Sequence, residues 1–118
     1  MPGYKITSIL PLPYNDCDSL LAALEKKPVA VAVYMEYSSL FLKAGTYSYS
    51  GSSTPNHGVV LVGYLSAYGY YVKNSWGRNW GRGGYFWIEK YQNAGICLYG
   101  VDVGTRFETS GSPYDCPI

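Results

Sequence analysis

The sequence predicts an α+β domain in which an antiparallel, barrel-like β-sheet carries one packed helix. The chain has 118 residues, which is enough for one hydrophobic core but not for two. Its composition is 47% hydrophobic, 17% aromatic and 14% charged, and the 14 tyrosines suit half-exposed strand positions. Short β-branched runs recur between turn-forming segments, whereas only one stretch has helical periodicity. We therefore expect residues 1–118 to form a single domain.

The one helical stretch follows an irregular entry segment that is interrupted by Pro11 and Pro13. Asp16 is then suited to cap the N-terminus of a helix. Because Pro28 disfavours helical geometry in the residue before it, we expect the helix to stop near Lys26. The apolar face of this helix consists of Cys17, Leu20, Leu21 and Leu24.

The rest of the chain predicts strands and loops. Residues 29–34 are apolar throughout, which predicts a strand buried on both faces. Residues 66–69 have the length and composition of a hairpin turn. The other expected segments are the hairpin strands 59–65 and 70–73, strands at 85–90 and 101–107, a helical turn at 37–43 closed by Gly45, loops at 47–55 and 77–84, and a loose tail at 109–118.

Charge, hydropathy and cysteine content exclude several classes of function. A formal charge of +1 gives no support for a nucleic acid or an anionic membrane as partner. No apolar run is long enough to span a bilayer, and residues 1–5 lack the apolar core of a targeting segment. Three widely spaced cysteines and one histidine do not make a metal site, so we expect no metal and no cofactor. The odd cysteine count leaves open a free thiol or a bond to another chain.

The stretch with the most chemical content begins at His57, the only histidine in the chain. If the hairpin at 66–69 forms, the strand that His57 opens lies beside the strand that Asn74 ends. The Asn74 carboxamide could then accept the ring N–H and orient His57 as a base, with Trp76 shielding that hydrogen bond. The competing interpretation is an ordinary turn histidine, a strand-end asparagine and a core tryptophan.

The surrounding string favours the catalytic interpretation. Asn56-His57-Gly58-Val59, followed by Val72-Lys73-Asn74-Ser75-Trp76-Gly77 and then Trp80-Gly81 and Gly84-Tyr85, closely resembles the papain-like cysteine peptidases around their catalytic histidine and asparagine. Segments 28–33, 43–47 and 95–99 are similar to the same family, so the resemblance covers a core of about residues 5–107. The part resembled is the C-terminal, barrel half of the fold.

The resemblance implies roles for seven residues. His57 would be the catalytic histidine, Asn74 its orienting residue and Trp76 the shield over their hydrogen bond. The substrate cleft wall would comprise Ala32, Pro55, Asn56 and Gly58. It also implies a peptide or protein substrate and a lysosomal, vacuolar or extracellular location.

Two departures from the family restrict this expectation. None of Cys17, Cys97 and Cys116 matches the family's nucleophile position, and the oxyanion glutamine is also absent. The family usually bridges the loop before the histidine to the cysteine near the final strand, but loop 49–53 has no cysteine here. We therefore expect Cys97 to be a free buried thiol and the chain to be inactive alone.

A barrel half on its own would expose the face that normally packs against the other half. We therefore expect a partner: a Cys-bearing N-terminal half or heavy chain, or a second copy of this chain. The leading hypothesis is part of a papain-like cysteine peptidase. The alternative is a non-catalytic scaffold or binding module that is derived from the same fold and is able to form an oligomer.

Overall fold

A computed structural model describes residues 3–36, 38–39 and 46–108 of the chain. The expected helical turn at 37–43 and Gly45 lie outside this part, apart from Ser38 and Ser39, which are in a 3₁₀ turn, and so does the tail at 109–118. The elements are β1 (Gly3–Pro11), α1 (Cys17–Leu24), β2 (Val29–Val33), β3 (Thr46–Tyr49), β4 (His57–Leu65), β5 (Gly69–Lys73), β6 (Tyr85–Asn93) and β7 (Gly100–Glu108).

The seven strands of the described residues form one sheet in the order β1-β7-β2-β4-β5-β6-β3. The expected α+β class is confirmed, but the sheet differs from the expected antiparallel barrel in two respects. It is open, because β1 and β3 lie at its two edges. It is also mixed, because β3 pairs with β6 in parallel whereas the other pairs are antiparallel.

The helix begins as predicted. The Asp16 carboxylate accepts hydrogen bonds from the Ser19 backbone N–H at 3.0 Å and from the Ser19 hydroxyl at 2.9 Å. These bonds satisfy one amide that the first helical turn leaves without a partner, and they lower the pKa of the Asp16 carboxyl. Leu20 is the fully buried residue of the apolar face and anchors α1 to the sheet.

The core lies on one face of the central strands. Val29, Val31 and Val33 of β2 are buried, but Ala30 is exposed and Ala32 is half-buried. The expectation that this strand is buried on both faces is therefore wrong. An apolar run cannot by itself distinguish two covered faces from one covered face and one that is open.

Two strands were not predicted from the sequence. β1 ends at Pro11, where the irregular entry segment begins, and its side chains Ile6, Ile9 and Leu10 are exposed, so burial left no alternating pattern to detect. β3 takes up the first residues of the predicted 47–55 loop, where Tyr47 is buried. Both strands pair with segments distant in sequence, β7 and β6, which local propensity does not reveal.

The expectation of a free thiol at Cys97 is also wrong. Cys97 is bonded to Cys17 at the start of α1, across a sequence separation of 80 residues. This disulfide ties the helix to the turn that precedes β7.

No helix in the described part of the chain is long and apolar enough to cross a membrane. The same residues hold no group of three or more His, Cys, Asp or Glu side chains placed to bind a metal ion.

Candidate active site

Strand register places His57 and Asn74 at the same end of the sheet. His57 is the first residue of β4 and lies opposite Val33 of β2. On the other side of β4, Val60 lies opposite Lys73, the last residue of β5. Asn74 therefore leaves β5 where β4 begins, and the predicted hairpin brings the ring and the carboxamide together.

A short hydrogen bond joins these two side chains. His57 Nε2 lies 2.7 Å from Asn74 Oδ1, and the same oxygen accepts the Ser75 backbone N–H at 2.7 Å. Because a carboxamide oxygen only accepts, Nε2 must carry the proton that it donates. In the neutral ring, Nδ1 is then the nitrogen left without a proton and able to accept one.

Asn74 is buried, and its backbone is also hydrogen-bonded. It is only 7% exposed, and its N–H donates to the Gly84 carbonyl at 3.0 Å. Its Nδ2 is buried without a hydrogen-bond partner in the described part of the chain. The carboxamide is therefore fixed through its oxygen and its backbone, and not through its amide nitrogen.

Trp76 lies against the ring of His57. Its ring centroid is 4.8 Å from that of His57, and the two planes are 30° apart. Trp80 meets Trp76 edge-on at 5.1 Å and is itself anchored, because its Nε1–H donates to the Ser39 carbonyl at 2.8 Å. A second tryptophan thus supports the one that lies against His57, and the shielding of the His–Asn hydrogen bond by Trp76 stays a prediction.

The loop at 77–84 needs glycine to hold this arrangement. Gly77 and Gly84 have φ angles of 92° and 93°, which side-chain-bearing residues rarely adopt. Within the loop, Trp80 N–H donates to the Gly77 carbonyl at 3.3 Å and Gly84 N–H to the Trp80 carbonyl at 2.9 Å. The tight turn brings Gly84 to a position where its carbonyl accepts a hydrogen bond from the Asn74 N–H.

Asn56 fixes the backbone immediately before His57. Its side-chain Oδ1 accepts the Met35 N–H at 2.9 Å, and its Nδ2 donates to the Met35 carbonyl at 3.3 Å. Its own N–H donates to the Val33 carbonyl at 3.0 Å. This three-bond clamp extends the β2–β4 pairing by one residue beyond the strand.

Tyr47 supports the segment to which the clamp is attached. Its hydroxyl donates to the Tyr34 carbonyl at 2.9 Å and accepts the Glu36 N–H at 3.0 Å. Burial raises the pKa of this phenol above its usual range. A neutral hydroxyl therefore ties β3 to residues 34–36.

The four residues expected in the cleft wall lie around the start of β4. Ala32 and Gly58 are directly opposite in the β2–β4 register and share the outer face of the sheet. Pro55 is half-buried and precedes the clamp residue Asn56. Their role in substrate binding stays a prediction.

An apolar hollow of about 390 Å³, here called the outer hollow, adjoins Asn74 on the outer face of β2, β4 and β5. Ala30, Gly58 and Val60 form its apolar floor, and Lys73 and Ser75 lie at its polar side. Val60 is 37% exposed within a strand, so this face is not covered in the isolated chain.

Two contributors to the site were not assigned roles from the sequence: the Ser75 N–H and the Trp80–Ser39 anchor. Trp80 stands in the recognised string, so that string was a usable signal for it. The Ser75 contact is made by a backbone N–H, so the residue type at this position does not indicate it.

The chain has relatives over most of its length. The model of the family described as papain family cysteine protease matches residues 2–103. Mexicain from Jacaratia mexicana is 33% identical over 111 residues, which cover 93% of this chain and 51% of that protein. A probable cysteine protease, RD21C of Arabidopsis thaliana, is 36% identical over 107 residues, covering 86% of this chain and 24% of that protein. The chain thus spans between about a quarter and a half of these relatives.

Solved structures show the same similarity. The Carica candamarcensis cysteine protease CMS1MS2, in complex with E-64, matches with a TM-score of 0.74 and 25% identity, over 83% of this chain and 48% of that one. Bromelain protease from Ananas comosus, in complex with E64, matches with a TM-score of 0.71 and 29% identity, over 83% of this chain and 50% of that one. In sequence and in fold, the chain belongs to the papain family of cysteine proteases and corresponds to its β-sheet half.

Proposed function

We propose that this chain supplies the histidine base and the orienting asparagine of a papain-like cysteine peptidase. The cysteine nucleophile would come from a separate helical half, either on another chain or elsewhere in a longer protein. The observation that supports this role is the 2.7 Å bond from His57 Nε2 to Asn74 Oδ1 beneath the Trp76 ring. An ordinary turn histidine would need neither a buried carboxamide nor an aromatic cover.

The tautomer determines which nitrogen would act. With Nε2 committed to Asn74, Nδ1 of His57 accepts the proton of the incoming thiol, which leaves a thiolate beside an imidazolium. The thiolate attacks the peptide carbonyl, and the imidazolium then protonates the leaving amine. Asn74 acts through His57 by holding the ring plane and favouring the N–H on Nε2.

The nucleophile cannot be either cysteine of the disulfide. Cys17 and Cys97 are bonded to each other, and a disulfide sulfur is not a thiolate. Cys116 lies outside the described residues. We therefore propose that the chain is inactive alone and is completed by a partner that carries the cysteine.

The outer hollow is the site where we propose that this partner docks. It is apolar, it adjoins Asn74, and it is bounded by Gly58 directly after His57. A helical half seated there would bury the exposed Val60 and Ala30 side chains. Association through such a face would release water from apolar surface.

Reconstitution tests both parts of the proposal. The chain is co-expressed with the helical half of a papain-family relative, and hydrolysis of a fluorogenic peptide is measured. We expect activity only from the complex, and His57→Ala should lower kcat/KM by at least about 10²-fold. Asn74→Ala should lower kcat with little change in KM, because it removes orientation and not substrate contact. Asn79→Ala, an exposed asparagine in the neighbouring loop, is the matched control and should leave both constants unchanged.

The proposal fails if the complex keeps its activity after His57→Ala. Activity from this chain without a partner would contradict the need for a separate nucleophile.

A second candidate is a non-catalytic scaffold that self-associates through the outer hollow, and the exposed apolar floor of that hollow favours it. Size-exclusion chromatography with intact-mass measurement on natural material distinguishes the two. A co-purifying Cys-bearing chain supports the peptidase role, whereas a homo-oligomer supports the scaffold.

For location, we propose a lysosomal, vacuolar or extracellular compartment, in keeping with the disulfide.

A further inference from the structure

A second hollow, here called the tyrosine hollow, has a volume of about 360 Å³. It lies between loop 50–53, the turn at 94–98 and the entry to α1. It shares no lining residue with the outer hollow, and His57, Asn74 and Trp76 do not line it. Its size is within the range of roughly 300–1,000 Å³ that is usual for small-molecule sites.

The lining of the tyrosine hollow is aromatic, polar and uncharged. Tyr14 and Tyr91 are 65% and 80% exposed, so their rings are open to a ligand. One face of Tyr91 lies 5.2 Å from the Lys90 ammonium, which leaves the other face for stacking. Asn15 and Asn93 add carboxamides, and loop 50–53 adds serine hydroxyls. None of the residues that line the hollow carries a formal charge.

Several of these polar groups are free to bind a ligand. In the described part of the chain, the Asn15 carboxamide and the hydroxyls of Ser50 and Ser52 have no hydrogen-bond partner. Asn93 uses its Oδ1 to accept the Gly95 N–H at 3.1 Å, so one lone pair of that oxygen remains.

The walls of the tyrosine hollow are fixed in unusual backbone geometry. Asn15 and Ala94 have φ angles of 52° and 56°, and they are the two non-glycine residues with positive φ in the described chain. Asn15 lines the hollow, and Ala94 stands between the lining residues Asn93 and Gly95. Such conformations persist only where surrounding structure enforces them, and they are concentrated at functional sites.

The Cys17–Cys97 disulfide joins these two walls. Cys97 itself lines the tyrosine hollow, and Cys17 lies two residues after Asn15. Cys97 is not bonded to loop 50–53, which also lines the hollow, so no cross-link spans the space between Cys97 and that loop.

We propose that the tyrosine hollow binds a neutral saccharide. The C–H face of a pyranose ring carries partial positive charge and stacks on the electron-rich face of tyrosine. Carboxamides and hydroxyls both donate and accept, as sugar hydroxyls do. A nucleotide or an anionic glycan would find no opposite charge in the lining. This inference does not depend on the proposed peptidase role.

The test is a titration followed by ¹H–¹⁵N NMR. The full chain is titrated with the methyl glycosides of glucose, mannose and N-acetylglucosamine at millimolar concentration, and with glucuronate as the charged control. The same titration is run on the reconstituted complex if the chain alone is insoluble, because the two hollows share no residue. We expect at least one neutral glycoside to shift the amides of residues 14–15, 50–53 and 91–95, and not the amide of His57.

Two variants remove ligand contacts without disturbing the core. Tyr91→Ala deletes an exposed ring and should weaken binding by about two- to tenfold. Asn15→Gly deletes the carboxamide while suiting the positive φ, and it should also weaken binding. Tyr68→Ala is the matched control, because Tyr68 is 63% exposed but lies at the hairpin turn away from the hollow.

Three outcomes would overturn the proposal. One is that no neutral glycoside shifts these amides. Another is that Tyr68→Ala weakens binding as much as Tyr91→Ala and Asn15→Gly. The third is that glucuronate binds at the hollow and the neutral glycosides do not.

Discussion

The Cys17–Cys97 bond should contribute a large share of the stability of this chain. It closes a loop across a sequence separation of 80 residues, and at that length the chain-entropy relation gives about 4.5 kcal/mol at room temperature. Measured effects of such bonds more often lie at about 2–4 kcal/mol. The double variant Cys17→Ala/Cys97→Ala should therefore lose at least about 2 kcal/mol of unfolding free energy. A domain of this size has only about 5–15 kcal/mol in all.

Urea unfolding followed by tryptophan fluorescence measures this loss. The wild-type chain under reducing conditions should unfold at nearly the same urea concentration as the double variant, because both lack the bond. Cys116→Ser is the control and should unfold like the oxidised wild type. A thiol assay on the denatured, unreduced monomer should count one thiol per chain. Three thiols, or a double variant within about 0.5 kcal/mol of wild type, would refute the assignment of this bond.

Three further substitutions test the fold around the candidate site. Tyr47→Phe removes the acceptor of the Glu36 N–H and should lower the unfolding free energy, measured by urea denaturation, by about 1–3 kcal/mol. An unchanged unfolding free energy would contradict the hydrogen bond by which Tyr47 connects β3 to residues 34–36. Asp16→Ala should lower the melting temperature at neutral pH. Because the folded-state pKa of Asp16 is lowered, the wild-type advantage should disappear as pH falls below about 4, and an advantage that persisted in acid would contradict the cap. Gly69 has a φ of 128°, and Gly69→Ala would place a Cβ 2.2 Å from the Ile88 carbonyl oxygen. Circular dichroism should therefore show loss of the folded state. A stable variant would contradict the hairpin geometry.

The features that local sequence determines were predictable. The Asp16 cap depends on residues within one helical turn, and the turn at 66–69 depends on its length and its glycine. Because that hairpin sets which ends of β4 and β5 meet, it was also enough to place His57 beside Asn74. The candidate site was predictable because its two polar side chains lie at the same end of two adjacent strands that this hairpin connects.

The features that depend on distant pairing were not predictable in the same way. β1 pairs with β7 across nearly the whole chain, and its exposed Ile9 and Leu10 gave no alternation. Cysteine spacing cannot decide which of three thiols are partners, so the bond between Cys17 and Cys97 was missed. The open outer face of β2 was missed because an apolar run by itself does not distinguish two covered faces from one.

Loop 50–53, which leads to His57, is not cross-linked, because it contains no cysteine and Cys97 is bonded to Cys17. The Asn56 clamp holds the backbone directly before His57, with three hydrogen bonds to Val33 and Met35. These bonds act at the adjacent residue, whereas a cross-link in loop 50–53 would act several residues away. The clamp in turn depends on residues 34–36, which Tyr47 ties to β3. The position of the His57 ring is therefore set by the sheet. Loop 50–53 is not needed to hold that ring, and it lines the tyrosine hollow.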